Sequence, residues 1–308
     1  MKSFKEIIEF AQQRGPKTIA VACAQDEDVL KSVEEARKLK IANAILVGDK
    51  EKITSIARYL EIDIANYEII DEKDLAKASL KAVEMVSSGK AQLVMKGLVD
   101  TSIILKAVLD KEVGLRSGCP LSHVAVFKID GYDRLFFVTD AAMTLKPDLA
   151  TKKLIIDNAV QVARALDVEE PKVAVICAKE KVNEKMLCTV DAKALEDMYK
   201  NGEIKVCIVG GPFGLDNAVS EEAAELKGLA DHPVAGKADI LLVPDIESGN
   251  ILYKSMVFFA KSEIAGIIVG AKAPVVLTSR ADSDISKLNS IALGVLAAAK
   301  MDPSEKCD

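Results

Sequence analysis

The sequence predicts an α/β protein built on a mostly parallel sheet. Short runs rich in Val, Ile, Leu and Ala alternate with stretches of helical periodicity almost from end to end. Those runs lack the polar alternation of a half-exposed sheet, so both faces of the sheet are expected to be covered. Polar clusters fall where the runs end, which in an open parallel sheet is the edge where ligands bind.

Taken in order, Phe4–Ala11 has helical spacing and is stopped by Gly15-Pro16. Thr18–Ala24 reads as a strand with Asp26–Lys38 as its helix, Ala44–Gly48 as a second strand, and Glu51–Leu60 as the helix after it. A short strand at Tyr67–Ile70 leads into a helix over Glu72–Ser87, and Gln92–Met95 gives a fourth strand. The rhythm changes near Ser122, where His123–Ile129 and Arg134–Asp140 flank Asp130-Gly131-Tyr132-Asp133 as a hairpin. A helix over Asp148–Ala165 follows Pro147, and strand-helix units resume with Val173–Ala178, Ala192–Lys200, Val206–Gly211, Asn217–Leu226 and Asp239–Pro244. The helix Asn250–Lys261, the strand Ala265–Gly270, the apolar run Pro274–Leu277 and a helix beginning near Asp282 complete the chain. No internal repeat and no Ser/Gly linker is present, so two domains are expected to be joined by crossing elements, the chain leaving the first near Ser122–Asp140.

The chain's 308 residues suffice for a sizeable core and one or two domains, with 29% charged and 50% hydrophobic residues. A net charge of −6 without a basic block argues against nucleic-acid binding, although local Lys and Arg still set the field in a cleft. The six cysteines show no CxxC spacing, the N-terminus MKSFKEIIEFAQQRG is amphipathic rather than a signal peptide, and no apolar run reaches membrane-spanning length. A reducing cytoplasm is the expected compartment. His123 and His232 have no ligand spacing to other His or Cys, so no metal site is expected.

The densest polar cluster is Thr278-Ser279-Arg280 followed by Asp282-Ser283-Asp284, where the Pro274–Leu277 run hands over to a helix. Arg280 offers a planar fork of donors suited to phosphate or carboxylate, and Ser279 a hydroxyl beside it. Asp282, Ser283 and Asp284 are natural helix-capping residues, and either Asp282 or Asp284 can alternatively take a proton from a reacting thiol or hydroxyl. A second cluster, Asp245–Met256, sets Ser248, Gly249 and Asn250 at a strand end, with Tyr253 and Lys254 on the same helix face as Asn250. Lys96-Gly97 closes the fourth strand, with Thr101 or Ser102 as the cap of the next helix, and Thr139-Asp140 closes the second strand of the hairpin. Gly210, Gly211 and Gly214 fit neither the dinucleotide fingerprint nor the P-loop spacing, and serve equally as turn residues.

In order along the chain, Lys96-Gly97, VTDAAMTLKPD, GGPFGLDNAVS, PDIESGNILYK and LTSRADSD resemble the phosphate acetyltransferase and phosphate butyryltransferase family, and SHVAVF, GPFGLDNA and SRADSDISKL resemble its butyryl branch. The resemblance spans essentially the whole chain. It implies reversible acyl transfer between coenzyme A and inorganic phosphate, with coenzyme A as substrate and no bound cofactor or metal. It also implies the two-domain fold of isocitrate and isopropylmalate dehydrogenases, an active site in the interdomain cleft, and a homodimer or larger homo-oligomer. On that pattern residues 1–121 and 262–308 form the first domain and 122–261 the inserted second. Ser279, Arg280, Asp282 and Asp284 become the catalytic set; Lys96, Gly97, Arg116, Thr139, Asp140, Gly211, Ser248, Asn250, Tyr253 and Lys254 become substrate-binding. One departure stands: counted without gaps, Ser286 falls where acetyltransferases of the family carry a base-like aspartate. The rival functions are phosphate acetyltransfer, a metal- and NAD-linked dehydrogenase on the same fold, and a non-catalytic acyl-CoA-binding protein. No aspartate triplet supports the dehydrogenase.

Overall fold

The computed structural model describes residues 1–278 and 282–300. Its elements in chain order are α1 (Phe4–Gln13), β1 (Lys17–Ala22), α2 (Glu27–Lys38), β2 (Ala42–Gly48), α3 (Lys50–Tyr59), β3 (Glu68–Asp71), α4 (Leu75–Ser87), β4 (Leu93–Lys96) and α5 (Thr101–Val108). They continue with β5 (Ser122–Lys128), β6 (Phe136–Thr139), α6 (Leu149–Ala165), β7 (Lys172–Ile176), α7 (Leu187–Lys200), β8 (Ile208–Phe213), α8 (Leu215–Val219), α9 (Glu221–Leu226) and β9 (Ile240–Leu242). The chain closes with α10 (Ile246–Phe258), β10 (Glu263–Val269), β11 (Val275–Val276) and α11 (Asp284–Lys300).

Two compact units result: Phe4–Cys119 with the chain from Ile264 onward, and Pro120–Glu263 with Met1–Ser3.

In the terminal unit the strands lie in the order β3-β2-β1-β4-β11-β10. All neighbours are parallel except β10 on β11. Ile19–Ala22, Leu93–Met95 and Val275–Val276 are almost wholly buried, which explains their unbroken apolar runs. α11 packs with α1 and α2, and α4 packs on β1 and β2 and against α5. Helix starts repeat one device: Asp26, Asp49 and Asp74 each accept a backbone N–H from the residue three positions on. Glu34 on α2 ties the layers together. It takes two bonds at 2.9 Å from Arg37 and one at 2.6 Å from the Tyr67 hydroxyl. Hydrogen bonding from Arg37, reinforced by Tyr67, holds this carboxyl below its usual range.

The central unit orders its strands β5-β6-β9-β7-β8. β5 and β6 form the expected antiparallel hairpin, with Ala125 opposite Val138 and Phe127 opposite Phe136, and the remaining pairs are parallel. α6 lies on β5, β6 and β9, and α10 on β6. Phe127 stacks on Phe136 at 5.6 Å and receives the edge of Tyr253 at the same distance.

Several helix starts differ from expectation, and the helix expected at Ala192 already begins at Leu187. The helix expected at Asn250 begins at Ile246, because Asp245 caps it by accepting the Ser248 N–H at 2.9 Å. The helix expected over Asn217–Leu226 is two, broken at Ser220, whose extended backbone and hydroxyl start α9 by accepting from Ala223. The residue preceding α5 is Asp100, and Thr101 is its first helical residue.

Among the described residues, no helix is long and apolar enough to cross a membrane, and no cluster of three or more His, Cys, Asp or Glu side chains could hold a metal ion. Cys23, Cys177 and Cys207 are buried free thiols and Cys188 is a half-buried one. Burial pushes Cys23 up to about 11 and Cys207 up to about 12, which leaves both thiols protonated at neutral pH.

Candidate active site

The terminal unit gathers its polar groups at the carboxyl edge of its sheet. Lys96 ends β4 directly beside Ala22 at the end of β1. It is one residue past the Met95–Val276 pair, so β4 and the strand leading to Thr278 leave the sheet side by side. The Lys96 ammonium is buried and donates to the carbonyls of Gly97 at 3.3 Å and Val99 at 3.1 Å. It is thereby aimed along the loop that follows its own strand.

Gly97 makes this approach possible. Its N–H bonds the Ala22 carbonyl at 2.8 Å, and a Cβ there would lie 2.3 Å from the Cys23 oxygen and 2.7 Å from that of Ala22. No side chain fits, so the loop rests on the backbone of β1's end.

At the same edge Asp282 and Ser283 lead into α11. Ser283 caps α11, its hydroxyl accepting the Ser286 N–H at 3.2 Å. Asp284 is the first helical residue, and its carboxylate accepts from the Ile285 N–H at 2.9 Å. Of the three residues expected to cap, the serine takes the position. Asp284 is turned onto its own helix start. Ser279 and Arg280 lie outside the described residues.

Arg116 is placed elsewhere. Its backbone bridges Ala271, in the turn that precedes β11, and its Nε donates to the Leu109 carbonyl at 2.6 Å. That is the amino edge of the sheet, opposite Lys96, so these two candidates for contacting substrate phosphate stand at different edges of this unit. A cavity of about 270 Å³ opens at this amino edge, lined by Gln92, Leu115, Lys272, Pro274 and Ala298, and contains none of the candidate residues.

In the central unit, Thr139, Asp140, Asn250 and Tyr253 converge where β6 ends under α10. Gly249 presses on this turn: a Cβ would meet the Ala141 Cα and the Asp140 oxygen at 3.0 Å and Val243 at 2.7 Å. Asn250 donates to the Ala141 carbonyl at 3.4 Å, and the Thr139 hydroxyl to the His123 carbonyl at 2.9 Å. The Thr139–Asp140 peptide bond is cis.

Asp140 is saturated. One carboxylate oxygen accepts from the N–H groups of His123 at 3.1 Å, Ala142 at 3.1 Å and Met143 at 3.0 Å. The other accepts from Thr144 at 3.0 Å. This side chain therefore shapes the turn after β6. Ser248 is similarly committed: its hydroxyl bonds the Asp245 carboxylate at 2.6 Å and carbonyl at 3.1 Å. Asp245 is in turn held below the usual carboxylate range by these bonds from Ser248.

Tyr253 packs edge-on against His123 at 5.7 Å. Burial drives the His123 imidazole toward its neutral form, against the pull of Asp140. Lys254 is exposed, with its ammonium 5.7 Å from the Tyr253 ring centre. Gly211 stands apart, on β8, with β9 and β7 between it and β6, roughly 14 Å at ordinary strand spacing.

Each unit thus presents a sheet-end turn shaped by a close-packed glycine, with lysine and asparagine donors and a carboxylate supply. Such a set suits anionic substrates and a proton transfer rather than metal chemistry. The chain belongs to the phosphate acetyl/butaryl transferase family, whose model matches residues 3–79 and 72–295. It is 53% identical over 299 residues to the phosphate butyryltransferase of Clostridium beijerinckii, covering 97% of this chain and 99% of that one. Among solved structures, a branched-chain phosphotransacylase from Enterococcus faecalis V583 superposes with a TM-score of 0.80 at 34% identity, covering 92% of this chain and 99% of that chain. A 4-hydroxythreonine-4-phosphate dehydrogenase from Klebsiella pneumoniae, 14% identical with a TM-score of 0.57, covers 92% of this chain and 99% of its own and shares the fold. The architecture is the dehydrogenase-like α/β fold that the motif series implied, carried by a transferase family.

Proposed function

We propose that this chain transfers a short-chain acyl group, butyryl in the first instance, reversibly between coenzyme A and inorganic phosphate. The observation that carries the reading is the full-length match to a phosphate butyryltransferase, with 53% identity over 97% of the chain. The carboxyl edge of the terminal sheet supports it: the buried Lys96 ammonium ends β4 there, and Asp282 and Asp284 lie at the start of α11, cation and carboxylates that suit a phosphate-handling site.

In the direction of thioester formation, a carboxylate takes the proton of the coenzyme A thiol. The sulfur attacks the carbonyl carbon of the acyl phosphate, the S–C bond forms, and the bond from that carbon to the bridging oxygen breaks, the oxygen leaving with phosphorus. Inorganic phosphate departs, held by Arg280 and Lys96, while Ser279 stabilises the tetrahedral oxyanion. The reverse reaction returns the proton to sulfur. No covalent acyl-enzyme is needed, and much of the rate comes from holding two anions in register. Asp282, two residues after Arg280, is taken as the base, with Asp284, whose carboxylate accepts the Ile285 N–H, as the alternative. Asn250, Tyr253 and Lys254 on α10 are assigned to coenzyme A, and Thr139 to shaping the adjoining turn. The reading carries with it a cytoplasmic enzyme that works as a homodimer or larger assembly.

The test is a rate series with acetyl-, propionyl-, butyryl- and isobutyryl-CoA, following phosphate-dependent appearance of free thiol. Each buried methylene contributes about 0.8 kcal/mol at most, so butyryl should exceed acetyl in kcat/KM by roughly tenfold. Absence of phosphate-dependent thiol with every substrate, while coenzyme A still binds, would favour a binding protein instead.

A further inference from the structure

Lys287 was not among the residues singled out by sequence, yet its environment is unusual. It sits on the first turn of α11, and its side chain is only 4% exposed. A lysine is seldom buried without partners. This one reaches back over the helix start. Its ammonium donates to the main-chain carbonyl of Asp282 and lies 3.9 Å from the carboxylate of Asp28. Asp28 belongs to the first turn of α2. The ammonium is therefore at the positive ends of two helices, where the macrodipoles disfavour a cation. Stability alone would select an apolar or acidic residue there. A residue that breaks a local rule at such a place points to function.

We infer that Lys287 is a positioning residue for the acyl-transfer site: by tying the Asp282 carbonyl to the first turn of α2, it fixes the path of the chain entering α11. Pinning the Asp282 main chain restricts where the proposed base stands. This inference rests on the function proposed above. Its contribution is to registration, not to contact with substrate.

Lys287→Met keeps the length and the burial and removes the ammonium. The expected result is a kcat for butyryl-CoA and phosphate lowered at least about tenfold, as misplacement of reacting groups by a fraction of an ångström produces. KM values should stay within about twofold, and the melting temperature should be unchanged or raised. Lys287→Arg should recover part of the lost kcat. A kcat within about twofold of the parent in Lys287→Met would overturn the inference, as would a rise in KM for phosphate with kcat retained, which would place the ammonium on substrate. Should Lys287→Met fail to fold, Asp28→Asn decides, since that side chain is 45% exposed. A loss of about threefold in kcat supports the tie, and an unchanged kcat refutes it. A parent enzyme with no phosphate-dependent thiol release would instead refute the reaction itself.

Discussion

Asp140→Asn separates a carboxylate that shapes the protein from one that touches substrate. The parent side chain is buried and accepts four backbone N–H groups, three on one oxygen and one on the other. The carboxamide keeps one oxygen for the three-fold cluster but without the charge, a loss of about 0.5 kcal/mol per bond. Its NH2 group then faces the Thr144 N–H, donor against donor, at about 1.5 kcal/mol. The total is about 3 kcal/mol, and at about 2–4 °C per kcal/mol the melting temperature should fall by roughly 6–12 °C. Scanning fluorimetry, with urea unfolding as a second readout, measures this directly. Because Gly249 and Asn250 rest on the same turn, a moderate loss of kcat should accompany the loss of stability. A melting temperature within 2 °C of the parent (about 0.5–1 kcal/mol) together with a large loss of kcat/KM would refute the scaffold role and return Asp140 to the substrate.

Gly97→Ala forces a Cβ to within 2.3 Å of the Cys23 oxygen, so the loop carrying Lys96 must move off β1. Destabilisation of about 1–3 kcal/mol and a raised KM for phosphate are expected, both readable from melting curves and initial rates. Arg280→Ala should lower turnover by at least about tenfold while the melting temperature is kept, and turnover equal to the parent's would remove Arg280 from the phosphate role. Glu34→Gln tests the Arg37–Tyr67 tie through pH. Because the folded carboxyl sits below its unfolded value, its contribution is complete above the ordinary carboxylate range and is lost as pH falls through that range and below it. The stability gap between parent and variant should therefore be largest at neutral pH and close below about pH 4. A gap that widened on acidification would contradict the assignment.

The strands were legible because they are buried on both faces, and continuous apolar runs such as Ile19–Ala22 and Leu93–Met95 have no other stable placement in a soluble fold. The β5–β6 hairpin was legible from its turn residues. Helix starts were less so. The Asn250 expectation followed the small residues at Ser248-Gly249, whereas the chain uses the earlier Asp245 with Ser248 three positions on, a capping pattern present in the sequence and passed over. Likewise Ser220 interrupts what periodicity alone reads as one helix. The site was legible as strand-end polar clusters but not as roles. That Asp140 spends its oxygens on its own turn depends on the backbone path of residues 142–144, and that Arg116 leaves the opposite edge from Lys96 depends on pairing with the distant Ala271; residue type shows neither. Lys287 escaped notice for the same reason. In sequence it is a polar residue on a helix, and only packing against α2 shows it buried at the wrong end of two dipoles.

The reaction is most directly tested by ³¹P NMR of the enzyme with butyryl-CoA and inorganic phosphate. A new acyl phosphate resonance should grow in step with free thiol, and adding coenzyme A should drive it back. Thiol released without that resonance would mean hydrolysis rather than transfer to phosphate, and would contradict the acyltransferase reading at its root.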